Sequence, residues 1–562
     1  MIRPMIKSLL AATALCVGAP AFAQTAPTPA PVDSTVPAPE GAPSLLIVIA
    51  VDQFSSDLFT QYRPLFTGGL ARLSQGVVFP QGYQAHAATE TCPGHSTILT
   101  GAHPATSGVI ANNWFDLGLA RDDKRVYCSE DPTVEGTSSS SGRYAPSPYY
   151  LRVPTLGERM RAADPRSRVV SIAGKDRAAI MMGGRGINET WWLAPTGLAS
   201  YRGTEASPAV ASISAAVGRA IATARPPLDL PAACGSRDYP VALGEGLTVG
   251  TGRLDRAAGN FRRFLASPEA DGAVLAAGAA MRAEYRLGQN GGTDLLILGL
   301  SATDYVGHGF GTEGAEMCLQ MLGLDRELGD FFTRMDATGI DYAVVLTADH
   351  GGHDTPERNR ENAMPSAERV SMELAPSAIG DRVKAELGLS IAGDLFAADA
   401  PMGDFYVNRS LSAADRARAI DAAVRIMESH RQVERVYRGS DVAAMPMPRR
   451  SPELWTVEER IRANYDPERS GDFIVVLKPR VTPIPDTSLG YIATHGSVWD
   501  YDRRVPILFW RRGLNGFEQP NPVMVVDIMP TLAALIGLPI AGDTPVDGRC
   551  LDLVAGSATS CP

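Results

Sequence analysis

Positive charge is the scarcer sign in this 562-residue chain: 52 Lys and Arg face 62 Asp and Glu, giving a formal charge of -10 and a pI near 5.4. No general basic field exists to attract a polyanion, so nucleic acid is excluded as a main partner and any phosphate chemistry must rest on a local cationic site. Histidine is scarcer still, at eight residues. Seven cysteines in so long a chain exclude a disulfide-held miniature scaffold. After residue 23 no apolar run reaches bilayer-spanning length, so no membrane partner is expected once the leader is gone. What is present, 45% hydrophobic and 20% charged residues, is ordinary globular composition and excludes collagen-like, coiled-coil and wholly disordered chains.

The N-terminus carries Arg3 and Lys7, an apolar run from Leu9 to Val17, and Ala21-Phe22-Ala23 before Gln24. That order is a secretory signal peptide over 1–23 with an A-x-A cleavage site, and it places the mature protein in the periplasm or outside the cell. Residues 24–43 are rich in Ala and Pro and read as a disordered linker. Cleavage removes Cys16 and leaves Cys92, Cys128, Cys234, Cys318, Cys550 and Cys561, an even number in an oxidising compartment. Cys550 with Cys561 is the most plausible pair, because it closes a short loop at the terminus. For Cys92 and Cys318 a free buried thiol is as good a reading as a bridge.

The folded body is expected over 44–562. Ser44–Val51 (SLLIVIAV) is a continuous apolar run ending at Asp52, the pattern of a strand buried on both faces. Arg168–Ala173, Asp294–Leu300, Tyr342–Thr347 and Val505–Trp510 repeat it. Cys318–Met335 and Ala413–Met427 carry apolar residues at helical spacing. The alternation predicts an α/β fold: a doubly wound, mostly parallel sheet flanked by helices. Insertions near 115–150 and 178–290, with Gly, Ser and Pro concentrated at 135–148 and 226–248, are expected to form a lid.

In such sheets ligands bind outside the carboxyl ends of the strands. Four of the runs lead there to ionisable residues: Asp52, Lys175 with Arg177, Asp304, and Asp349-His350. The segment Thr91-Cys92-Pro93-Gly94-His95 is suited to head a helix, where unpaired N–H groups favour anions. Alone, a capping threonine accounts for it. It is joined by Asp304-x-x-x-His308, Asp349-His350 and His495, and Asp and His are oxygen and nitrogen ligands that zinc accepts.

Asp52, Thr91-x-Pro-Gly-His95, Asn112, Asp304-x-x-x-His308, Asp349-His350 and His495, in that order, resemble the two-zinc site of the alkaline phosphatase superfamily. The resemblance runs from Leu45 to Leu538 and includes the Val526–Leu532 segment. It implies that Asp52, Thr91, Asp349 and His350 hold one Zn2+ and that Asp304, His308 and His495 hold the other. It further implies that Thr91 is the nucleophile and passes through a phosphothreonine. Threonine replaces the serine of one branch and no third-metal carboxylate is evident, so two zincs without obligatory magnesium are expected. Thr89 is a less well aligned hydroxyl, and Asn113 a less well placed alternative to Asn112.

Charge decides the substrate class. Three aspartates and a threonine alkoxide balance two divalent ions, so a dianionic monoester needs two further cations. Lys175 and Arg177 can supply them, as in the threonine-nucleophile monoesterases of the superfamily and unlike its nucleotide pyrophosphatase/phosphodiesterase branch. The expected activity is hydrolysis of phosphate monoesters of broad leaving-group range to inorganic phosphate, with Asn112 as a neutral hydrogen-bond donor to the phosphoryl group. A phosphodiesterase or nucleotide pyrophosphatase with the same site is the alternative, and an inactive metal- or phosphate-binding protein a remote one. A monomer is left open. His95 is assigned to bracing the helix, and His353 with Asp354 to orienting a ligand. His86, His103 and His430 are read as structural, and Trp114 and Phe115 either wall the leaving group or pack in the core.

Overall fold

The computed structural model describes residues 41–562 apart from 140, 245, 489, 543–544, 555–558 and 562. The expected signal peptide and residues 24–40 of the expected linker lie outside the described residues. Among those described, no helix is long and apolar enough to cross a membrane.

The central sheet contains β1 (Leu45–Val51), β2 (Val77–Tyr83), β3 (Val169–Ala173), β4 (Glu189–Ala194), β5 (Gly197–Ala199), β6 (Asp294–Leu300), β7 (Tyr342–Thr347), β8 (Arg504–Arg511) and β9 (Phe517–Glu518). Their spatial order is β9-β2-β8-β7-β1-β6-β3-β4-β5, with Val523–Met524 also on β2. β7, β1, β6, β3 and β4 run parallel, and every residue of β1, β3, β6 and β7 is buried, which is why each reads as an unbroken apolar run. Helices flank the sheet. The longest, Ala315–Asp336, turns Leu324, Leu328, Phe331, Phe332 and Met335 into the core beside Pro268–Glu284.

β8 lies where its apolar run places it, but it is antiparallel to both β7 and β2. The chain enters β8 through the short helix Asp500–Arg503, a few residues after His495, so it runs back from the site without a crossover helix. Residues near 178–290 are not an insertion as a whole. β4 and β5 extend the central sheet, and Pro208–Ala222 and Pro268–Glu284 pack with it.

The larger addition lies between His350 and His495. Phe396–Ala397, Gly403–Val407, Phe473–Leu477 and Val433–Arg438 form an antiparallel sheet in that order, covered by helices Pro376–Leu387 and Ala413–Glu428. It has its own core of Ile379, Val383, Phe405, Ala423, Met427 and Phe473. Three disulfides close the described chain: Cys92–Cys128, Cys234–Cys318 and the expected Cys550–Cys561. Cys92 and Cys318 are therefore bridged rather than free.

Candidate active site

Asp52 continues the pairing of β1, its N–H donating to the Leu300 carbonyl at 2.8 Å, before the chain turns at Gln53 with φ of 62°. Asp304 and His308 stand one turn apart on the helix Ala302–Phe310 that leaves β6. Asp349 and His350 follow β7, and the chain beyond them passes close to backbone, since a Cβ on Gly351 would lie 2.3 Å from the Tyr501 carbonyl oxygen. Lys175 and Arg177 follow β3 at the start of Asp176–Gly183. All of these side chains therefore gather at one edge of the sheet.

Thr91 is the first residue of a fully buried helix, Thr91–Thr100. Pro93 falls in its first turn, where a missing N–H costs no helical bond. Gly94 is needed for close approach: a Cβ there would lie 2.0 Å from the Asp349 carbonyl oxygen. Asn112 Oδ1 accepts from Cys92 N at 2.8 Å while its own N–H donates to Glu90 Oε2 at 2.7 Å. That leaves the Asn112 amino group to donate elsewhere. Lys175 Nζ and an Arg177 guanidinium nitrogen lie 3.4 and 3.3 Å from Thr91 Oγ1.

Three aspartates face one another around these groups. Lys175 Nζ lies 2.7 Å from Asp52 Oδ2 and 2.6 Å from Asp304 Oδ2. His308 and His495 approach Asp304 Oδ1 with Nε2 at 3.3 and 3.2 Å. His350 Nε2 is 3.2 Å from Asp349 Oδ2 and 3.5 Å from Asp52 Oδ1, and its ring stacks on His495 at 3.6 Å. Each of these histidines binds a carbonyl through Nδ1: His308 to Ala493, His350 to Gly351 and His495 to Thr89, at 2.8, 2.9 and 2.8 Å. With Nδ1 so occupied, Nε2 of each is the nitrogen presented to the acids.

Burial works against the carboxylates, and their neighbours decide the outcome. Asp52 is pushed up to about 7 by burial and by Asp349, with Lys175 opposing. Burial raises Asp304 as well, but His308 and Lys175 outweigh it and hold the carboxyl well below its ordinary range. For Asp349, His350 and His95 do the same. Burial pulls His350 down, yet Asp349 carries it up to about 9, whereas burial and His350 push His495 down to about 4.

The donor set fits divalent cations. Asp52 Oδ1, Asp304 Oδ1, Asp349 Oδ2 and His350 Nε2 are buried without a hydrogen-bond partner, a costly arrangement that cations would satisfy. One lysine cannot offset three buried carboxylates. Ligand atoms within 4.8 Å of one another form two sets, Asp304 with His350 and His495, and Asp52 with His95 and Asp349. His350 stands between the two sets, and His308 adjoins the first through Asp304.

Further side chains complete the site, His95 from the Thr91 motif and two tyrosines that no motif marks. His95 Nδ1 lies 2.9 Å from the Thr91 carbonyl oxygen and 3.1 Å from Asp349 Oδ2, so it both holds the helix and faces the acids. Tyr127 lies 3.3 Å from Arg177 and donates to Asp176 at 3.0 Å, and Tyr144 donates to the other Asp176 oxygen at 2.6 Å. These partners come from the 115–150 segment, tied to the Thr91 helix by Cys92–Cys128. His353 and Asp354 do not orient a ligand. The Gly351-Gly352 turn carries His353 to Thr482 at 3.1 Å, and Asp354 pairs with Arg358 at 2.7 Å. Trp114 packs in a core cluster against Tyr150, while Phe115 lines a cleft of 130 Å³ with Glu90, Met402, Tyr406 and His495.

The profile described as Type I phosphodiesterase / nucleotide pyrophosphatase matches residues 46–498. Among curated proteins the chain is 54% identical over 522 residues to alkaline phosphatase PhoK of a Sphingomonas species, covering 92% of each chain. It is 47% identical over 521 residues to alkaline phosphatase PhoD of Zymomonas mobilis, covering 92% of this chain and 89% of that one. Among solved structures, the crystal structure of alkaline phosphatase PafA superposes with a TM-score of 0.77 at 24% identity, over 92% of this chain and all of PafA.

Proposed function

The chain belongs to the type I phosphodiesterase / nucleotide pyrophosphatase family, and from that premise we propose an exported, zinc-dependent phosphomonoesterase that works through a phosphothreonine at Thr91. Curated relatives that match it over most of its length include alkaline phosphatases, and it is an alkaline phosphatase, a phosphoric monoester hydrolase. The observation that carries the finer reading is the pair Lys175 and Arg177, both within 3.4 Å of Thr91 Oγ1.

Asp52, Thr91, Asp304, His308, Asp349, His350 and His495 are the residues that would hold two zinc ions. Bound zinc supplies Lewis acidity, which favours ionised oxygen on the reacting groups. The chain's own part is positioning and charge. Arg177 is steadied by Tyr127, and its fork suits two phosphoryl oxygens. Lys175 adds a point charge, and burial works against its ammonium less than Asp304 and Asp52 work for it, so the charge is retained. Asn112, fixed through Oδ1, donates a neutral hydrogen bond from Nδ2 to the transferred group. The added positive charge favours a dianion over a singly charged diester.

Export rests on the Met1–Ala23 leader and agrees with three disulfides, which persist in oxidising compartments. N-terminal sequencing of exported protein is expected to begin at Gln24, and an intact leader would remove that part of the reading. Activity is tested by kcat/KM for p-nitrophenyl phosphate and bis-p-nitrophenyl phosphate, with zinc supplied and after chelation. A zinc-dependent monoester preference of about a hundredfold or more is expected. A diester preference would make the protein a phosphodiesterase, and zinc content without turnover would make it a binding protein.

A further inference from the structure

Two clefts of opposite charge flank the phosphoryl-binding groups. The one beside His495 is lined by Glu90, Asp399, Asp404 and Asp502 against a single lysine, Lys478. The other, of 290 Å³, is bounded by Tyr305, His308, Phe310, Tyr491, Arg262 and Arg263. Its members form a row leading outward from the site. Lys175 Nζ lies 5.2 Å from the Tyr305 ring, and Tyr491 stands edge-on to His308 at 5.0 Å. The Arg262 guanidinium lies over that same Tyr491 ring at 4.3 Å and also donates to the Gly490 carbonyl at 3.1 Å. Arg263 lies over Phe310 at 4.7 Å. Tyr491 is 39% exposed, so its ring is reachable from solvent.

In-line displacement sends the leaving oxygen away from the attacking one. The helix that Thr91 heads packs against the Asp52–Asp349 half of the site, with Gly94 close to the Asp349 carbonyl and His95 3.1 Å from the Asp349 carboxylate. The leaving oxygen therefore departs toward the Asp304 half, where His308 opens onto the second cleft. An apolar wall followed by two cations, one ring-width beyond His308, matches a flat leaving group with an anion at its far end.

Resting on the phosphomonoesterase reading, we propose that the cleft between Tyr305, Tyr491 and Arg262–Arg263 is the leaving-group subsite. It favours monoesters whose leaving group is a planar ring bearing a second anionic group remote from the scissile ester. The acidic cleft beside His495 disfavours the same group. Both arginines are exposed, so the discrimination is modest, about fivefold, and weakens with salt.

The test compares kcat/KM of the zinc-supplied enzyme for phenyl phosphate, 4-carboxyphenyl phosphate and 4-(aminomethyl)phenyl phosphate. It does so in wild type and in the double variant Arg262→Gln with Arg263→Gln, at low and high ionic strength. Taking each charged probe relative to phenyl phosphate in both proteins cancels intrinsic leaving-group reactivity. The carboxyphenyl ratio is expected to fall about fivefold in the variant and to lose its salt dependence, while the aminomethyl ratio rises. Ratios identical in the two proteins, or all three probes falling in proportion because the arginines only hold the Gly490–Tyr491 segment, would overturn the subsite. Failure of wild type to hydrolyse phenyl phosphate at all would instead overturn the phosphomonoesterase reading.

Discussion

Thr91 Oγ1 receives two cationic donors, but among the described residues no carboxylate or imidazole hydrogen-bonds to it, because His95 addresses the Thr91 main-chain carbonyl. In the proposed reaction its ionisation would therefore rest on the surrounding positive charge rather than on a dedicated base. Thr91→Ala is expected to lower kcat by about a thousandfold or more while metal analysis finds zinc largely retained; near-native turnover would remove Thr91 as nucleophile. Away from this chemistry, Asp271 accepts from Ala302 N and from Gln320 Nε2, and burial pushes it up to about 7. The folded chain keeps this proton to about pH 7, while the unfolded chain releases it near pH ~4. Its stabilising contribution is thus complete below pH ~4 and lost as pH rises through 7. Gln320 Oε1 lacks a partner, so a flipped Gln320 amide can accept from an asparagine. Asp271→Asn should melt close to wild type at pH 5 and higher than wild type at pH 8; a pH-independent difference would refute the assignment.

At the scale of elements, the Thr91 helix is held so close to the strand-end acids that one methyl group matters. Gly94→Ala places a Cβ 2.0 Å from the Asp349 carbonyl oxygen, and helix or ligand must move. Losses on the order of a hundredfold in kcat/KM, with reduced zinc content, are expected. Retention of both would show that the approach is not required. The five apolar runs were legible as strands because burial on both faces leaves no polar alternation, but direction leaves no such trace: β8 reads the same whichever way it runs. The antiparallel sheet between His350 and His495 has one comparable run, Phe473–Leu477, among strands of mixed burial, so it does not stand out. At the site, residues at strand ends were legible from position. Tyr127 and Tyr144 were not, since their contacts with Asp176 join residues 49 and 32 apart and exist only once the chain folds.

Across the whole molecule, the parallel strands bring acids, histidines and cations from separate segments to one edge, and the fold holds them there against their mutual repulsion. Metal binding to the folded chain alone must stabilise it. Chelation is expected to lower Tm by at least a few degrees and zinc to restore it, followed by calorimetry; an unchanged Tm would mean that the acids need no cation. The central claim is that the local positive charge of Lys175 and Arg177, in a chain of net charge -10, selects the dianionic monoester. The most direct test is the ratio of kcat/KM for p-nitrophenyl phosphate to that for bis-p-nitrophenyl phosphate, measured in wild type and in Lys175→Ala with Arg177→Ala under the same zinc. The account predicts that the ratio falls by at least about tenfold, because the dianion loses more than the monoanion. Equal losses on both substrates would contradict it.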